Sequence, residues 1–172
     1  MAVSLAGRLL VALPELDDPN FYRAVVYLLD HDRSGAVGVV INRPSQLHVV
    51  AEFPMLGRAV NEPSVFFEGG PVAEHSVVAL AAKDGSVEML ELEPLLRRSS
   101  ERRHDVRLFV GYSGWGPGQL DGEVVTGSWL VAEGSLDDVF AEEPEDLWRS
   151  VLRRQDGPAA RLAFYPDELI AN

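Results

Sequence analysis

The stretch Gly111-Tyr112-Ser113-Gly114-Trp115-Gly116-Pro117-Gly118-Gln119 holds the residue types from which anion sites are commonly built. A strand that runs into glycines and then a helix start turns backbone N–H groups and the helix dipole toward a phosphate or carboxylate. The familiar versions of that device do not fit. A nucleophile elbow needs glycine two residues after its serine, and Trp115 stands there after Ser113. A P-loop closes on Gly-Lys-Ser/Thr, and no lysine follows; a dinucleotide fingerprint begun at Gly114 needs glycine where Gln119 stands. The plainer reading is a tight strand-to-helix turn with Trp115 packed over it.

Two other turns carry polar or glycine-rich chemistry. Asn42-Arg43-Pro44 sets a donor-rich fork beside a rigid turn, suited either to an anion or to local backbone and surface acids. Gly69-Gly70-Pro71 allows backbone angles closed to other residues. If the three turns meet, Asn42, Arg43, Gly69, Gly70, Ser113, Trp115, Gly116 and Gln119 are the residues expected to line a concave, backbone-rich ligand pocket. The histidines, His31, His48, His75 and His104, have none of the i, i+2 or i, i+4 spacings that pair ligands on one element. His31 between Asp30 and Asp32 is the best of them, and a solvated turn explains it equally well. No metal or cofactor is expected, and a serine triad would have to be assembled from distant segments with no spacing to support it.

These residues need elements to hold them. Arg8 to Ala12 reads as a short strand closed by Pro14, and Glu15 to Asn20 as a loop. Tyr22 to Leu29 suits a strand buried on both faces, Asp30 to Ser34 a turn, and Ala36 to Ile41 the returning arm of an antiparallel hairpin that Pro44 stops. A short helix is expected within Gln46 to Arg58, where Leu47, Val50 and Ala51 recur at helical spacing and Pro54 intervenes. Val65 to Phe67 is a short strand, Ser76 to Ala82 and Val87 to Leu92 a hairpin about Lys83-Asp84-Gly85-Ser86, and Val106 to Tyr112 an apolar strand. Pro117 then offers a first-turn helix position, with Leu120 and Val124 on one face, and Trp129 to Ala132 returns as a strand. Pro144 to Arg154 is an amphipathic helix with Leu147, Trp148, Val151 and Leu152 as its apolar stripe. The chain reads as one α/β domain over residues 1–172, with a tail over 156–172.

Composition narrows the function classes. The chain has no cysteine, which removes disulfides, thiolate metal sites and thiol catalysis. Its apolar runs fall far short of the roughly 20 residues needed to cross a bilayer. Met1 to Leu13 lacks a basic region ahead of an uninterrupted apolar core, so a protein of the cytoplasm is expected. A net charge of −12 repels phosphate backbones and anionic lipid, so neither nucleic acid nor membrane is an expected direct partner. The densest basic group, Arg97, Arg98, Arg102, Arg103 and Arg107, is interleaved with Glu101 and Asp105 and reads as a solvated connection.

Taken together, Gly7 to Ala12, Ala36 to Pro44, Gly69-Gly70-Pro71-Val72 and Gly111 to Leu120 resemble the AlgH/YqgE family, and the resemblance extends through Gly127-Ser128-Trp129-Leu130 to Leu147-Trp148. It implies an α/β (α+β) fold with a mostly antiparallel sheet, bifurcated or partly barrel-like, surrounded by helices. It also implies a regulatory role, since the family's name ties some members to alginate synthesis, and it brings no catalytic residues with it. Two readings of function follow. The preferred one is a non-enzymatic binding or regulatory module acting through a protein partner. The other is an enzyme acting on a small phosphorylated or acidic metabolite, with loop amides and Arg43 neutralising the substrate and Asp30 or Glu68 as base. A sheet edge or the Trp148 helix would each serve for self-association, and the sequence does not choose an oligomeric state.

Overall fold

The computed structural model describes residues 3–97 and 105–166. The strands in chain order are β1 (Leu9–Ala12), β2 (Val25–Asp32), β3 (Gly35–Val40), β4 (Pro44–His48), β5 (Val65–Glu68), β6 (Val72–Lys83), β7 (Ser86–Leu90), β8 (Val106–Trp115) and β9 (Trp129–Ala132). The helices are short: α1 (Val49–Glu52), α2 (Leu92–Arg97), α3 (Gln119–Val125), α4 (Leu136–Val139) and α5 (Leu147–Arg153). The result is a mixed α/β fold around a curled, half-barrel sheet, in which only β5 and β8 pair in parallel among the named strands.

The sheet divides at β8. The N-terminal part of β8 pairs with β5 on one side and β6 on the other, through Phe67↔Phe109 and Val78↔Phe109. Its C-terminal part pairs with β3, through Ala36↔Trp115 and Gly38↔Ser113. One branch therefore continues β3-β2-β1-β9, and the other holds β4 and β5 with the β6–β7 hairpin.

Strand periodicity explains how three cores share one sheet. Successive side chains point to opposite faces. Leu9 and Val11 accordingly join Phe67, Phe109, Trp148 and Val151 under α5, while Leu10 and Ala12 join Val26, Leu28, Trp115 and Trp129 under α3. β1 is thus buried on both faces. A third cluster of Val49, Leu56, Phe66, Leu95 and Leu108 fills the other branch beneath α1 and α2.

Several boundaries differ from those the sequence suggests. β2 starts at Val25 because Arg23 takes a left-handed φ of 52° and Ala24 N–H closes a turn on the Phe21 carbonyl. It then runs through Asp32, so Asp30 and His31 are strand residues, with an irregularity between Leu28 and Asp30. Pro44 does not stop pairing; it opens β4, which pairs with β5 through Pro44↔Phe67, a position where a missing N–H is tolerated at the start of a strand. Within Gln46 to Arg58 only α1 and a 3-10 turn at Pro54–Leu56 are helical, and Gln46 to His48 are extended. β8 continues past Gly111 to Trp115, leaving Gly116 to Gly118 as the turn. The helix at Pro144 begins as a 3-10 turn and becomes α5 at Leu147. Of the expected tail, Gly157–Phe164 forms a 3-10 helix, with Ala163 buried and Leu162 packed on the first core.

Candidate functional site

The three turns singled out in the sequence do come together, at the point where the sheet divides. Gly69 N–H donates to the Val110 carbonyl at 2.9 Å, and the Gly69 carbonyl accepts from Val40 N–H at 2.9 Å and from Ser113 Oγ at 3.1 Å. Glu68 N–H donates to the Arg43 carbonyl at 2.8 Å, which ties the second turn to the first. The meeting is backbone against backbone. A Cβ on Gly70 would lie 2.2 Å from the Tyr112 carbonyl oxygen, and one on Gly111, at φ 74°, would lie 2.4 Å from the Gly70 oxygen. Side chains essentially never approach so closely, so glycine is needed at both positions. Backbone fills the space between Gly69-Gly70 and β8.

The polar residues expected to line that pocket hold main chain. Asn42 accepts from Val25 N–H and donates to the Arg23 carbonyl, both at 2.9 Å, and so clamps the start of β2. Arg43 donates to the carbonyls of Asn20 and of Tyr22, the latter at 2.8 Å. Burial lowers the Arg43 pKa, and the negative charges of Glu68 and Asp18 oppose that fall. Ser113 is fully buried on Gly69. Gln119 accepts from Gly116 N–H at 3.0 Å, drawing the turn shut ahead of α3. Trp115 is buried in a triad with Phe21 and Trp129 whose ring centroids lie 5.3 to 6.1 Å apart.

Two residues carry more of the structure than the sequence suggested: Glu123, which was not singled out, and Arg107, which was read only as one of a basic group. Glu123 on α3 accepts from the indole N–H of Trp115 at 3.2 Å and of Trp129 at 2.9 Å, and from Gln119 Nε2 at 3.0 Å. The i, i+4 spacing of Gln119 and Glu123 was the available signal. Arg107 is the larger correction. Read as part of a solvated connection, it is completely buried on β8. One Nη donates to the carbonyls of Val139 and Ala141 at 3.1 and 2.9 Å; the other donates to Asn61 Oδ1 and to the Glu62 carbonyl at 2.8 Å. Its guanidinium lies 4.3 Å from the Phe67 ring centroid. Desolvation pushes its pKa down to about 10, with Glu142 pulling the other way, so it remains a cation at neutral pH. Arg97 is exposed beside Glu93, and Arg98, Arg102, Arg103 and His104 lie outside the described residues.

His31 departs from the solvated-turn expectation in the same sense. It is buried, its Nδ1 accepts from Leu5 N–H at 2.9 Å, and its Nε2 lies 3.3 Å from Asp121 Oδ1. An acceptor at Nδ1 leaves the proton on Nε2, directed at the carboxylate. Among the described residues no three His, Asp or Glu side chains gather closely enough to hold a metal ion. Nor is any described helix long and apolar enough to cross a membrane.

Of the residues expected to line a pocket, Asn42 and Arg43 do border a cleft, one of about 380 Å³ shared with Tyr22, Arg23, Trp148 and Arg149, and a second cleft adjoins it. This second cleft, of about 440 Å³, is lined by residues of the 12–23 segment, Asp17, Asp18, Tyr22 and Arg23 among them, together with Trp148 and Tyr165. Its volume falls in the roughly 300–1,000 Å³ range of ligand clefts. Trp148 is fixed by its indole N–H, which donates to the Ala12 carbonyl at 2.8 Å.

Comparison with known proteins agrees with this architecture. A family model described as AlgH-like matches residues 9–160. A UPF0301 protein of Streptomyces avermitilis is 43% identical, covering 96% of this chain and 94% of the relative. One from Thermobifida fusca is 39% identical, covering 99% and 96%. Among solved structures, a Corynebacterium diphtheriae protein superposes with a TM-score of 0.82 at 28% identity, covering 93% of this chain and 92% of that one. The solution structure of AlgH from Pseudomonas aeruginosa gives 0.71 at 26% identity, covering 98% and 97%. With the model matching most of its length and full-length relatives above 30% identity, the chain belongs to the AlgH-like UPF0301 family.

Proposed function

We propose that this protein is a non-enzymatic binding or regulatory module that acts through a protein partner. One observation carries the reading: Ser113, Asn42 and Arg43, three of the polar groups expected to do chemistry, are bonded to the chain's own main chain. Ser113 is closed on Gly69, Asn42 bridges Val25 and Arg23, and both Nη atoms of Arg43 are bonded to carbonyls. A nucleophile or an electrostatic clamp must instead be presented to substrate. The reading as an enzyme for a phosphorylated or acidic metabolite would need Arg43 to give up two hydrogen bonds, and Ser113 is buried away from any substrate.

The test is a panel of phosphorylated and carboxylated metabolites, followed for both thermal stabilisation and consumption. The expected result is no consumption, and melting curves that no panel compound shifts in wild type or in Ser113→Ala. Catalysed consumption that disappears in Ser113→Ala or Arg43→Lys, with each variant still folded, would overturn the reading.

A further inference from the structure

We propose that His31 is an acid-sensitive latch on the N-terminal arm: the neutral imidazole holds residues 3–6 against β2, and protonation at Nδ1 lets them go.

The latch is built from contacts that meet on one buried ring. His31 is 6% exposed and pairs with Ala36 across the β2–β3 hairpin, so its side chain shares the sheet face that forms the core under α3. Its Nδ1 accepts from Leu5 N–H at 2.9 Å, and its Nε2 lies 3.3 Å from Asp121 Oδ1 on α3. Ser4 Oγ donates to the His31 carbonyl at 2.9 Å, and the Leu5 side chain packs on the core that holds Leu28, Trp115 and Trp129. Arm, strand and helix are thereby joined through one imidazole.

Proton count gives this junction two arrangements. A neutral imidazole offers one acceptor and one donor, and the site uses both, whereas an imidazolium offers two donors. Protonation therefore sets a donor at Nδ1 against the Leu5 N–H donor, while the contact of Nε2 with Asp121 becomes charge-assisted. The ring loses its partner on the arm and strengthens its partner on the helix. Histidine is the side chain whose charge ordinarily changes between about pH 5 and 8.

The surrounding charges suit that exchange. Asp30, which accepts from the His31 main-chain N–H, and Asp32 flank the ring on β2. Residues 3–6 and the facing Gly35-Ala36 carry no ionisable side chain, and Arg8 and Arg33, next along those segments, are exposed. On α3, Glu123 is engaged by two indoles, so Asp121, with a side chain 48% exposed, is the helix's carboxylate for the ring. The arm is also free to leave. Gly7 sits at φ 84° with open space where a side chain would stand, a hinge between the latch and β1, and Val3 at the far end is 82% exposed. Release would uncover the apolar surface that Leu5 covers, so the acid form presents a face that the neutral form hides.

The test follows the full chain by NMR from about pH 8 to pH 5. The ring nitrogens of His31 report its protonation, and 15N relaxation of Ser4 and Leu5 reports the order of the arm. The expected result is that Ser4 and Leu5 lose order as His31 takes up its proton, with order parameters falling from about 0.85 to below about 0.6, while Val39 on β3 keeps its own. His31→Asn, whose carboxamide keeps an acceptor that does not titrate, should hold the arm throughout. Asp121→Asn removes the charge that favours the cation and should move the transition to lower pH. An arm that stays ordered once the ring is protonated, a ring that stays neutral across the range, or an arm that loosens at the same pH in His31→Asn would each overturn the latch.

Discussion

Replacing Arg107 by lysine is expected to harm the protein at least as much as replacing it by methionine. Desolvation has lowered the Arg107 pKa to about 10, which corresponds to a cost of about 3 kcal/mol for keeping the cation in place. Arg107→Met removes that cost but strands its acceptors. The Val139 carbonyl and Asn61 Oδ1 bonds are buried, and each lost partner costs about 1 to 3 kcal/mol; the Ala141 and Glu62 carbonyls, being part-buried, cost less. The net loss is about 2 to 4 kcal/mol. Arg107→Lys keeps the buried charge yet has one nitrogen, whereas the guanidinium fork reaches the 61–62 and 139–141 segments with different nitrogens. Half of the compensation goes while the desolvation cost stays, so its loss is of the same size. Urea unfolding followed by circular dichroism gives the free energies, and melting should fall by about 5 to 15 °C in both variants. A lysine variant within about 2 °C of wild type would refute the reasoning, because charge alone, without the fork, would then suffice.

Other substitutions test neighbouring parts of the account. Glu123→Ala should cost about 2 to 3 kcal/mol, since two indole N–H groups and Gln119 lose a charged acceptor; Glu123→Gln, which keeps one acceptor oxygen, should lose less than half as much by thermal melting. Asp32 titrates below its ordinary 3.8 because the Ser34 hydroxyl and N–H both donate to it. Being a carboxylate with a depressed folded pKa, it adds stability above 3.8 that is lost as pH falls through the lower folded value. An NMR titration of the Asp32 carboxyl should show this midpoint move back up toward 3.8 in Ser34→Ala; an unchanged midpoint would contradict the assignment.

Local chemistry made much of the fold legible. Gly35 between two apolar runs marked the β2–β3 hairpin, Lys83 to Ser86 marked β6–β7, and the stripe Leu147, Trp148, Val151, Leu152 marked the buried face of α5. What escaped was set by segments far apart in sequence. Arg107 looks solvated beside Glu101 and Asp105, and only the return of residues 61–62 and 139–141 makes it a buried fork. Pro44 looks like a stop until β5 arrives beside it. The candidate site was half legible: the meeting of the three turns was foreseeable as a possibility of glycine chemistry, but backbone-to-backbone filling depends on where β8 crosses Gly69 and Gly70. The cleft could not be read, because it joins residues 12–23 to Trp148 and Tyr165.

Gly70 and Gly111 let chain segments cross at the division of the sheet. Gly111→Ala against Gly118→Ala tests it most directly, by thermal melting of both, because the two backbones share the same left-handed φ, 74° and 72°. Only Gly111 faces a close neighbour, the Gly70 oxygen at 2.4 Å; a Cβ on Gly118 meets nothing within 4 Å. Gly118→Ala should lose about 1 to 2 kcal/mol from backbone strain alone, and Gly111→Ala at least about 2 kcal/mol more. Equal losses in the two variants would mean that the crossing does not require a glycine, and the account would fail.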